Sequence, residues 1–420
     1  MDLPRPHLII LADPPDALAI LFGISLLERL LRVAERLGFR EALIVSREPD
    51  RVAAHLAKPS WARAKVALTF RARETGAVLV SDVATGAERT LVASAGFYYD
   101  ARLLKSLAER PATTLLVDSA PPMESVPLWK NQGVDFRGAA LVQSDWLSTL
   151  DPRTVLLDQL SSDAANRRID VCDAAREPTY VTSLRKHVRP VFFPAPTPDL
   201  VPLAEKFPRD VAQNGVLDFP GFFDSPIEDW IVARLCLTPI RPNHVTFLTM
   251  LIGLAVTVFF VTGRLWWGVV FAYAIEVLDG VDGKLARTKV ETTAAGEWEH
   301  NTDYLIELSW WVALAFHFRG AGVPSAFWLL GLYVGSDLLD RLAKRAVKKK
   351  VGRNLDDVSN FDRFVRCIGA RRNINIWILI AALAFGDPAS GFVLICWWGA
   401  ASAAAHIFRA VQIGKMTKSE

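Results

Sequence analysis

VTFLTMLIGLAVTVFFVTG, residues 245–263, runs for 19 residues without a charge. An α-helix rises about 1.5 Å per residue, so about 20 apolar residues cross the hydrocarbon core of a bilayer, which is about 30 Å thick. The stretch therefore predicts a membrane-spanning helix. Five further apolar runs follow, beginning near Leu265, Thr302, Ala326, Ile374 and Gly391. Together they predict an all-α domain of six transmembrane helices.

The part of the chain before this domain has a different composition. Up to about Asp224 charged residues occur throughout, and no apolar run approaches the length of a span. The 420 residues carry a net charge of only +3, which argues against nucleic acid as a partner. The four cysteines lie far apart and show no zinc-site or disulfide pattern. The N-terminus also lacks the apolar core of a signal peptide, so we expect a soluble domain in the cytoplasm.

Basic residues are distributed unevenly among the predicted connections. Those after the second and fourth apolar runs are rich in Lys and Arg, whereas the first, third and fifth carry only Arg264, His317 and Arg319. Cytoplasmic connections are the ones that carry the excess of basic residues. We therefore expect a multi-pass protein of the cell membrane, with both termini and the active site on the cytoplasmic side.

A short segment joins the two parts. In residues 225–237, SPIEDWIVARLCL, Ser225 is a candidate helix cap, with Pro226 at the first helical position and Glu228 three residues after the cap. An apolar stripe edged by charge suits a helix in the membrane interface, and an ordinary linker helix is the alternative. The prolines of TPIRPN, residues 238–243, end this helix. The predicted domain boundaries are 1–220, 221–243 and 244–420.

Acidic residues cluster in and after DGVDGKLAR, residues 279–287. Asp279 and Asp282 are three residues apart and lie on one face of a helix, and Glu299 and Asp303, four apart, share a face of the next. Carboxylates that converge in a membrane are costly without cations, and ligands that are all oxygen favour Mg²⁺ or Mn²⁺ over zinc. We therefore predict that these four carboxylates bind one or two such ions.

Small residues flank the acids of the first helix. Gly283 and Ala286 leave the helix surface bare, so a bulky ligand could lie against the backbone. Arg287, one turn after Gly283, could grip a phosphate with two hydrogen bonds. The run therefore predicts a phosphate-containing ligand beside the metal.

This run resembles the signature of the CDP-alcohol phosphotransferase family: D-x2-D-G-x2-A-R, seven or eight residues, then G-x3-D-x3-D. The first half matches at every defined position. In the second half, a spacer of eight fits Gly296 but places His300 and Tyr304 at the acidic positions. A spacer of seven loses the glycine but places Glu299 and Asp303 there. We favour the second register because it restores two carboxylates at helical spacing, with His300 as the competitor for third metal ligand.

The resemblance implies transfer of a phospho-alcohol from a CDP-alcohol to an acceptor hydroxyl, with release of CMP. It assigns the metal ions to Asp279, Asp282, Glu299 and Asp303, and makes Asp303 the general base. The glycine, alanine and arginine named above then contact the CDP moiety. The donor is CDP-diacylglycerol or CDP-inositol, the acceptor an inositol phosphate or a lipid, and membrane lipids surround the helices. A homodimer is a candidate assembly.

An alternative function is a transporter-like or regulatory membrane protein whose acidic cluster binds ions. It does not explain the glycine, alanine and arginine together. Two further arginines, Arg371 and Arg372, precede the fifth predicted span, and guanidinium groups match phosphate oxygens geometrically. They are candidates for the acceptor's phosphate, ahead of Arg363 and Arg366, and service as ordinary positive-inside charges is the alternative.

The N-terminal part alternates strand, helix and strand over residues 7–12, 24–37 and 42–46, which predicts an α/β domain with a parallel sheet. It resembles the sugar-nucleotidyltransferase fold, and its fusion to the membrane domain is similar to bifunctional enzymes that make CDP-inositol and then di-inositol phosphate. The loop that should cradle a triphosphate reads DPPDALAI, residues 13–20, without glycine or lysine. Asp100 comes too late to be the metal-binding aspartate. We therefore predict an inactive docking or regulatory domain.

Overall fold

The computed structural model describes residues 4–57, 65–121, 138–291 and 296–416 of the chain. For residues 296–301 and 416 only the course of the backbone is described. Within these ranges an α/β domain is followed by a helical domain. The strands of the α/β domain are β1 (His7–Leu11), β2 (Ile20–Leu21), β3 (Ile24–Ser25), β4 (Glu41–Ser46), β5 (Ala67–Ala72), β6 (Arg89–Ser94), β7 (Phe97–Tyr99), β8 (Thr114–Val117), β9 (Ala139–Gln143), β10 (Asp170–Asp173), β11 (Tyr180–Val181), β12 (Lys186–His187) and β13 (Phe192–Pro194).

Seven of these strands form one sheet, in the order β10-β8-β9-β6-β1-β4-β5. The central strand β1 reads HLIIL and is parallel to both neighbours, with Ile9 opposite Leu43 of β4 and Val92 of β6. A continuous apolar run of this kind is typical of a parallel strand that is buried on both faces. Strand β9 pairs antiparallel with β6 and β8. The predicted α/β domain is confirmed, with a sheet that is parallel except at β9.

Helices cover this sheet. The first begins after Ser25, whose hydroxyl accepts a hydrogen bond of 3.2 Å from the backbone N–H of Glu28, as a helix cap does. The helices of the α/β domain are α1 (Leu26–Arg36), α2 (Pro49–Ala57), α3 (Val80–Val83), α4 (Ala101–Ala108), α5 (Ser144–Ser148), α6 (Leu156–Ala165) and α7 (Val201–Ala212).

The helical domain begins at Gly221. Its helices are α8 (Gly221–Leu235), α9 (Pro242–Val261), α10 (Leu265–Thr288), α11 (Gly296–Gly320), α12 (Ala326–Val351), α13 (Asn360–Ile368), α14 (Arg372–Ala384) and α15 (Pro388–Met416). In the described part of the chain, α9 and α15 are long and apolar enough to cross a membrane. Helices α13 and α14 give a third span if this pair, bent by 44°, counts as one. Because α10 carries three acidic residues, composition does not identify it as a span, and the count of six stays a prediction.

Helix α8 begins five residues earlier than the sequence predicted, at Gly221 and not at Pro226. Ser225 is therefore not its cap; its hydroxyl instead contacts the Gln213 side chain, at 2.9 Å. Pro226 lies inside the helix, where packing overrides the lost backbone hydrogen bond. The acidic residues of α8 face inward while its aromatic residues are exposed, Trp230 to 58%. Such an arrangement suits a helix in the membrane interface, which stays a prediction.

The two domains share one apolar core. The same buried cluster contains Leu26 and Leu30 of α1 together with Val281 and Leu285 of α10. The α/β domain therefore packs directly against the end of α10 that carries the signature residues. Nothing in the sequence pattern predicted this contact, because the two helices are separated by more than 200 residues.

Candidate active site

The first half of the acidic motif lies on α10, where Asp279 and Asp282 share one face. The Asp282 carboxylate accepts a hydrogen bond of 3.0 Å from the Thr246 hydroxyl of α9. Asp279 forms an ion pair with Arg372, at the start of α14. Three helices therefore meet at these carboxylates. The ion pair of Asp279 with Arg372 joins a predicted metal ligand to an arginine predicted to bind the acceptor's phosphate.

The guanidinium group of Arg287 lies beside Gly283. A Cβ atom at position 283 would be 3.3 Å from the Arg287 Nη1 atom, closer than most side chains tolerate. Arg287 Nε donates a 2.7 Å hydrogen bond to the carbonyl of Ala212, at the end of α7. The carbonyl of Ala286 accepts one of 3.3 Å from Arg36 of α1. The α/β domain thus contacts two of the three residues predicted to bind the CDP moiety.

The second half of the motif lies on α11. The helix begins at Gly296, so the backbone places Glu299 and Asp303 one turn apart on one face. Asp303 is partly buried. The side chains of Glu299 and His300 lie outside the described residues. The choice between these two as third metal ligand therefore stays a prediction.

The donors on α10 suit a hard divalent cation. The Asp279 and Asp282 carboxylates and the neighbouring Thr246 hydroxyl present only oxygen atoms, which Mg²⁺ and Mn²⁺ prefer. Among the side chains that the structure describes, no three Asp, Glu, His or Cys residues are grouped closely enough to hold an ion. The predicted site needs a further carboxylate from α11, so the residues present fit the metal without completing its coordination.

The remaining predicted arginines are held by carboxylates. Arg371 Nε lies 3.5 Å from Asp218 Oδ2. Arg363 and Arg366 pair with two aspartates of the 3-10 turn Leu355–Asp357, at 2.6 Å each. Arg363 and Arg366 thus tie down the turn that follows α12. The role of Arg371 and Arg372 toward an acceptor stays a prediction.

Sequence reasoning missed the buried ionic contact between α8 and α10. Lys284 Nζ lies 2.8 Å from Glu228 and 2.7 Å from Asp229. A Cβ at Gly280 would be 2.0 Å from a Glu228 oxygen, so the glycine leaves room for this carboxylate beside α10. The sequence offered one hint, a lysine between two motif residues inside an apolar helix.

A second contact joins acids of α8 and α10. Asp224 is 1% exposed, and the nearby Glu276 of α10 is 5% exposed; neither carboxyl group has a hydrogen-bond partner within the described residues. Burial raises the pKa of Asp224, and the nearby charge of Asp218 adds to the rise. Because Glu276 lies one turn before Asp279, acidic residues follow one another along this side of α10.

In the α/β domain, the edge where a nucleotidyltransferase would hold its triphosphate is closed by ion pairs. Asp13, directly after β1, accepts a 2.9 Å hydrogen bond from the backbone N–H of Arg47 and pairs with Arg73. Asp100 caps α4 by accepting from the N–H of Arg102 at 3.0 Å. These carboxylates have structural roles. Inactivity of this domain stays a prediction.

The helical domain is similar to a known protein family. Residues 239–385 match the family described as CDP-alcohol phosphatidyltransferase. A 129-residue stretch is 30% identical to the bifunctional IPC transferase and DIPP synthase of Aquifex aeolicus (strain VF5). That stretch covers 29% of this chain and 29% of the relative, so the chain spans less than a third of the curated relative's length.

Solved structures resemble each half. A Bacillus anthracis structure described as a glucose-1-phosphate thymidylyltransferase is 12% identical, covers 48% of this chain and 94% of its own, and gives a TM-score of 0.35. The Mycobacterium tuberculosis phosphatidylinositol phosphate synthase with CDP-DAG bound is 16% identical, covers 44% and 92%, and also gives 0.35. At TM-scores below 0.5, neither likeness establishes a shared fold.

Proposed function

Since the C-terminal half of the chain contains a CDP-alcohol phosphotransferase domain, we propose that the protein transfers a phospho-alcohol from a CDP-alcohol to an acceptor hydroxyl and releases CMP. The observation that carries the proposal is the surface of α10. Two carboxylates share one face, a glycine lies beside them, and the Arg287 guanidinium covers that glycine. A transporter that binds ions through its acidic residues needs neither the glycine nor the arginine that covers it.

The reaction forms a bond between the acceptor oxygen and the phosphorus that carries the alcohol, and breaks the bond from that phosphorus to the CMP oxygen. Arg287 would bind the pyrophosphate, with Gly283 and Ala286 giving it access to the backbone. Asp303 would take the proton of the acceptor hydroxyl. A divalent ion held by Asp279, Asp282, Glu299 and Asp303 would supply charge neutralisation for the leaving phosphate.

We place this chemistry at the cytoplasmic side of a membrane. The basic connections described above support this orientation, and the exposed aromatic face of α8 supports its position at the interface. Arg372 is the better candidate of the two arginines for the acceptor's phosphate, because it reaches Asp279. An acceptor that bears a phosphate could compete for that guanidinium.

Two donor classes fit the proposal, CDP-inositol and CDP-diacylglycerol. The name of the curated relative, a DIPP synthase, favours an inositol-type pair. The full chain should be purified in detergent and given each donor with Mg²⁺ or Mn²⁺ and with inositol phosphate or lipid acceptors. CMP release from one donor supports the proposal and names its class. No CMP from any combination would refute it.

A further inference from the structure

Helix α1 of the α/β domain buries charged residues against the helical domain. Glu28, Arg29 and Arg32 are each 3% exposed. Buried charges are costly unless they are paired, so their partners indicate why they are there. Arg32 Nε donates to Glu28 at 3.1 Å, within α1. The rest of its guanidinium reaches a segment 257 residues later in the chain.

That segment is the end of α10. Arg32 Nη1 donates a 2.7 Å hydrogen bond to the carbonyl of Lys289, and the same nitrogen lies 3.6 Å from the Glu291 carboxylate. Arg36 adds the bond to the Ala286 carbonyl described above. The last carbonyls of a helix form the negative end of its dipole, where cations are favoured. The α/β domain therefore supplies the cationic cap of the helix that carries the first half of the acidic motif.

The turn that follows α10 has an unfavourable backbone conformation. Val290 has φ of 55°, in the left-handed region, which β-branched residues rarely adopt. Such a conformation persists where its surroundings over-determine it. Here the backbone N–H of Glu291 donates to the Ala286 carbonyl at 2.9 Å, and the Lys289 ammonium donates to two carbonyls of the segment before α9, at 3.0 and 2.7 Å. Arg32 completes this set through Glu291.

The turn after α10 lies between the two halves of the acidic motif. It is where the chain leaves the helix of Asp279 and Asp282 and heads for the helix of Glu299 and Asp303. Only residues 291–295 separate it from the start of α11. The direction of this turn therefore constrains how the two acidic faces meet.

We propose that Arg32 is a positioning residue of the phosphotransferase site. By holding the Lys289 carbonyl and the Glu291 carboxylate, it fixes the turn between the two halves of the acidic motif and so sets the geometry of the metal ligands. The α/β domain is then a working part of the transferase and not only a docking module. This inference rests on the function proposed above.

The test uses the full-length protein and two readouts of Mg²⁺ binding. One is the Mg²⁺ concentration that gives half-maximal CMP release, and the other is the concentration that gives half of the Mg²⁺-induced rise in Tm without substrate. The variants are Arg32→Ala, Arg32→Lys, Glu291→Gln and the double variant Arg32→Ala/Glu291→Gln. Arg51→Ala is the control, because Arg51 is an exposed arginine of the same domain that pairs with Glu48.

Arg32→Ala should raise both half-saturating concentrations about tenfold or more, as loss of a residue that orients metal ligands typically does. Arg32→Lys, which keeps the charge, should lie between Arg32→Ala and the wild type. The effect of the double variant should be smaller than the sum of the two single effects, because both changes remove the Arg32–Glu291 contact, while Glu291 also lies 3.9 Å from Arg241. Arg51→Ala should match the wild type.

Half-saturating concentrations that stay unchanged while the maximal rate or the Tm falls would overturn the inference, since Arg32 would then serve folding alone. If Arg32→Ala does not fold, Arg32→Lys and Glu291→Gln decide in the same way. Failure of the wild type to release CMP would refute the proposed function. The Tm titration would still decide whether Arg32 orders the metal site.

Discussion

The acids at the edge of the sheet and the acids where α8 meets α10 differ in how their charge is balanced. At the sheet edge, Asp173 accepts hydrogen bonds from the backbone N–H and the hydroxyl of Ser119, at 3.1 and 2.7 Å. Burial alone would raise the pKa of Asp173, but these bonds outweigh it and lower the pKa. Where α8 packs against α10, the Asp224 carboxyl group lies near that of Glu276, and burial raises the pKa of Asp224.

This difference explains why one acidic region is structural and the other is a candidate site. A carboxylate whose local donors already satisfy it has little to offer a ligand. Acids crowded along one side of a helix, with Arg372 as the paired cation of Asp279, retain an excess of negative charge that a proton or a metal ion must offset. Acidic residues in a sequence therefore indicate a metal site where the fold gathers more carboxyl groups than it supplies cations to pair them.

The largest effect that this comparison predicts is loss of turnover in Asp282→Asn. A neutral amide cannot balance a divalent ion, so CMP release should fall roughly 100-fold or more, together with its metal dependence. Asp13→Asn, at the sheet edge, is the matched control and should change CMP release by less than about twofold. If Asp282→Asn kept more than about a tenth of wild-type activity, Asp282 would not be a metal ligand.

A smaller effect should separate the candidates on α11. In the favoured register Glu299 is a ligand, and His300, rotated about 100° from it on the helix, points elsewhere. Glu299→Gln should then lower CMP release about tenfold or more, and His300→Ala far less, because a neutral imidazole adds no negative charge. Asp303→Asn should stop turnover while donor binding survives. The reverse order, with His300→Ala inactive and Glu299→Gln active, would establish the other register.

These outcomes also show what the sequence could and could not predict. Periodicity predicted β1, α1 and β4 and their parallel arrangement, because local spacing determines which face of an element is apolar. It placed Asp279 and Asp282 on one face for the same reason. It did not predict the ion pair of Asp279 with Arg372 or the contact of Arg32 with α10. Spacing within one element carries no information about which distant element packs against it.

The predicted start of α8 was wrong for a related reason. Ser225 and Pro226 form a typical helix beginning, but packing against α10 favours a helix that starts earlier. Lys284, which the motif leaves undefined, holds Ser225 and the acids of α8. Tertiary contacts thus overrode a local capping pattern.

Opposite responses of stability to pH should distinguish Asp173 from Asp224. The pKa of Asp173 is lowered in the folded state, so its stabilisation is present above the unfolded value of about 3.9 and is lost as the pH falls. The pKa of Asp224 is raised, so its contribution becomes unfavourable as the pH rises above about 3.9.

Asp173→Asn should therefore lower the Tm at pH 7, and Asp224→Asn should raise it, by on the order of 2–4 °C for each kcal/mol. The Asp224 difference should shrink toward zero near pH 4, whereas the Asp173 difference should persist at pH 4, because it is lost only as the pH falls through the lowered pKa of the folded state. The measurement is thermal unfolding of each variant and the wild type in detergent between pH 4 and pH 8. Shifts of the same sign for the two variants would contradict the contrast in charge balance.

The smallest expected effect is the absence of nucleotidyl transfer at the sheet edge. The loop after β1 begins with Asp13 and two prolines, which have no N–H to donate to a phosphate. The Asp13 carboxylate already engages Arg73, the basic group nearest to this loop in the contacts that the structure describes. Asp16 closes the edge further, since a Cβ at Gly96 would be 3.1 Å from the Asp16 Cβ. A triphosphate would meet carboxylates where it needs N–H donors.

The full chain, given CTP, Mg²⁺ and inositol phosphate, should therefore release no pyrophosphate above the rate without protein. Asp282→Asn should behave identically, because its phosphotransferase defect lies in the other domain. Pyrophosphate release that survives in Asp282→Asn but disappears in Asp13→Asn would show that the sheet edge is an active site and that its carboxylates are not purely structural.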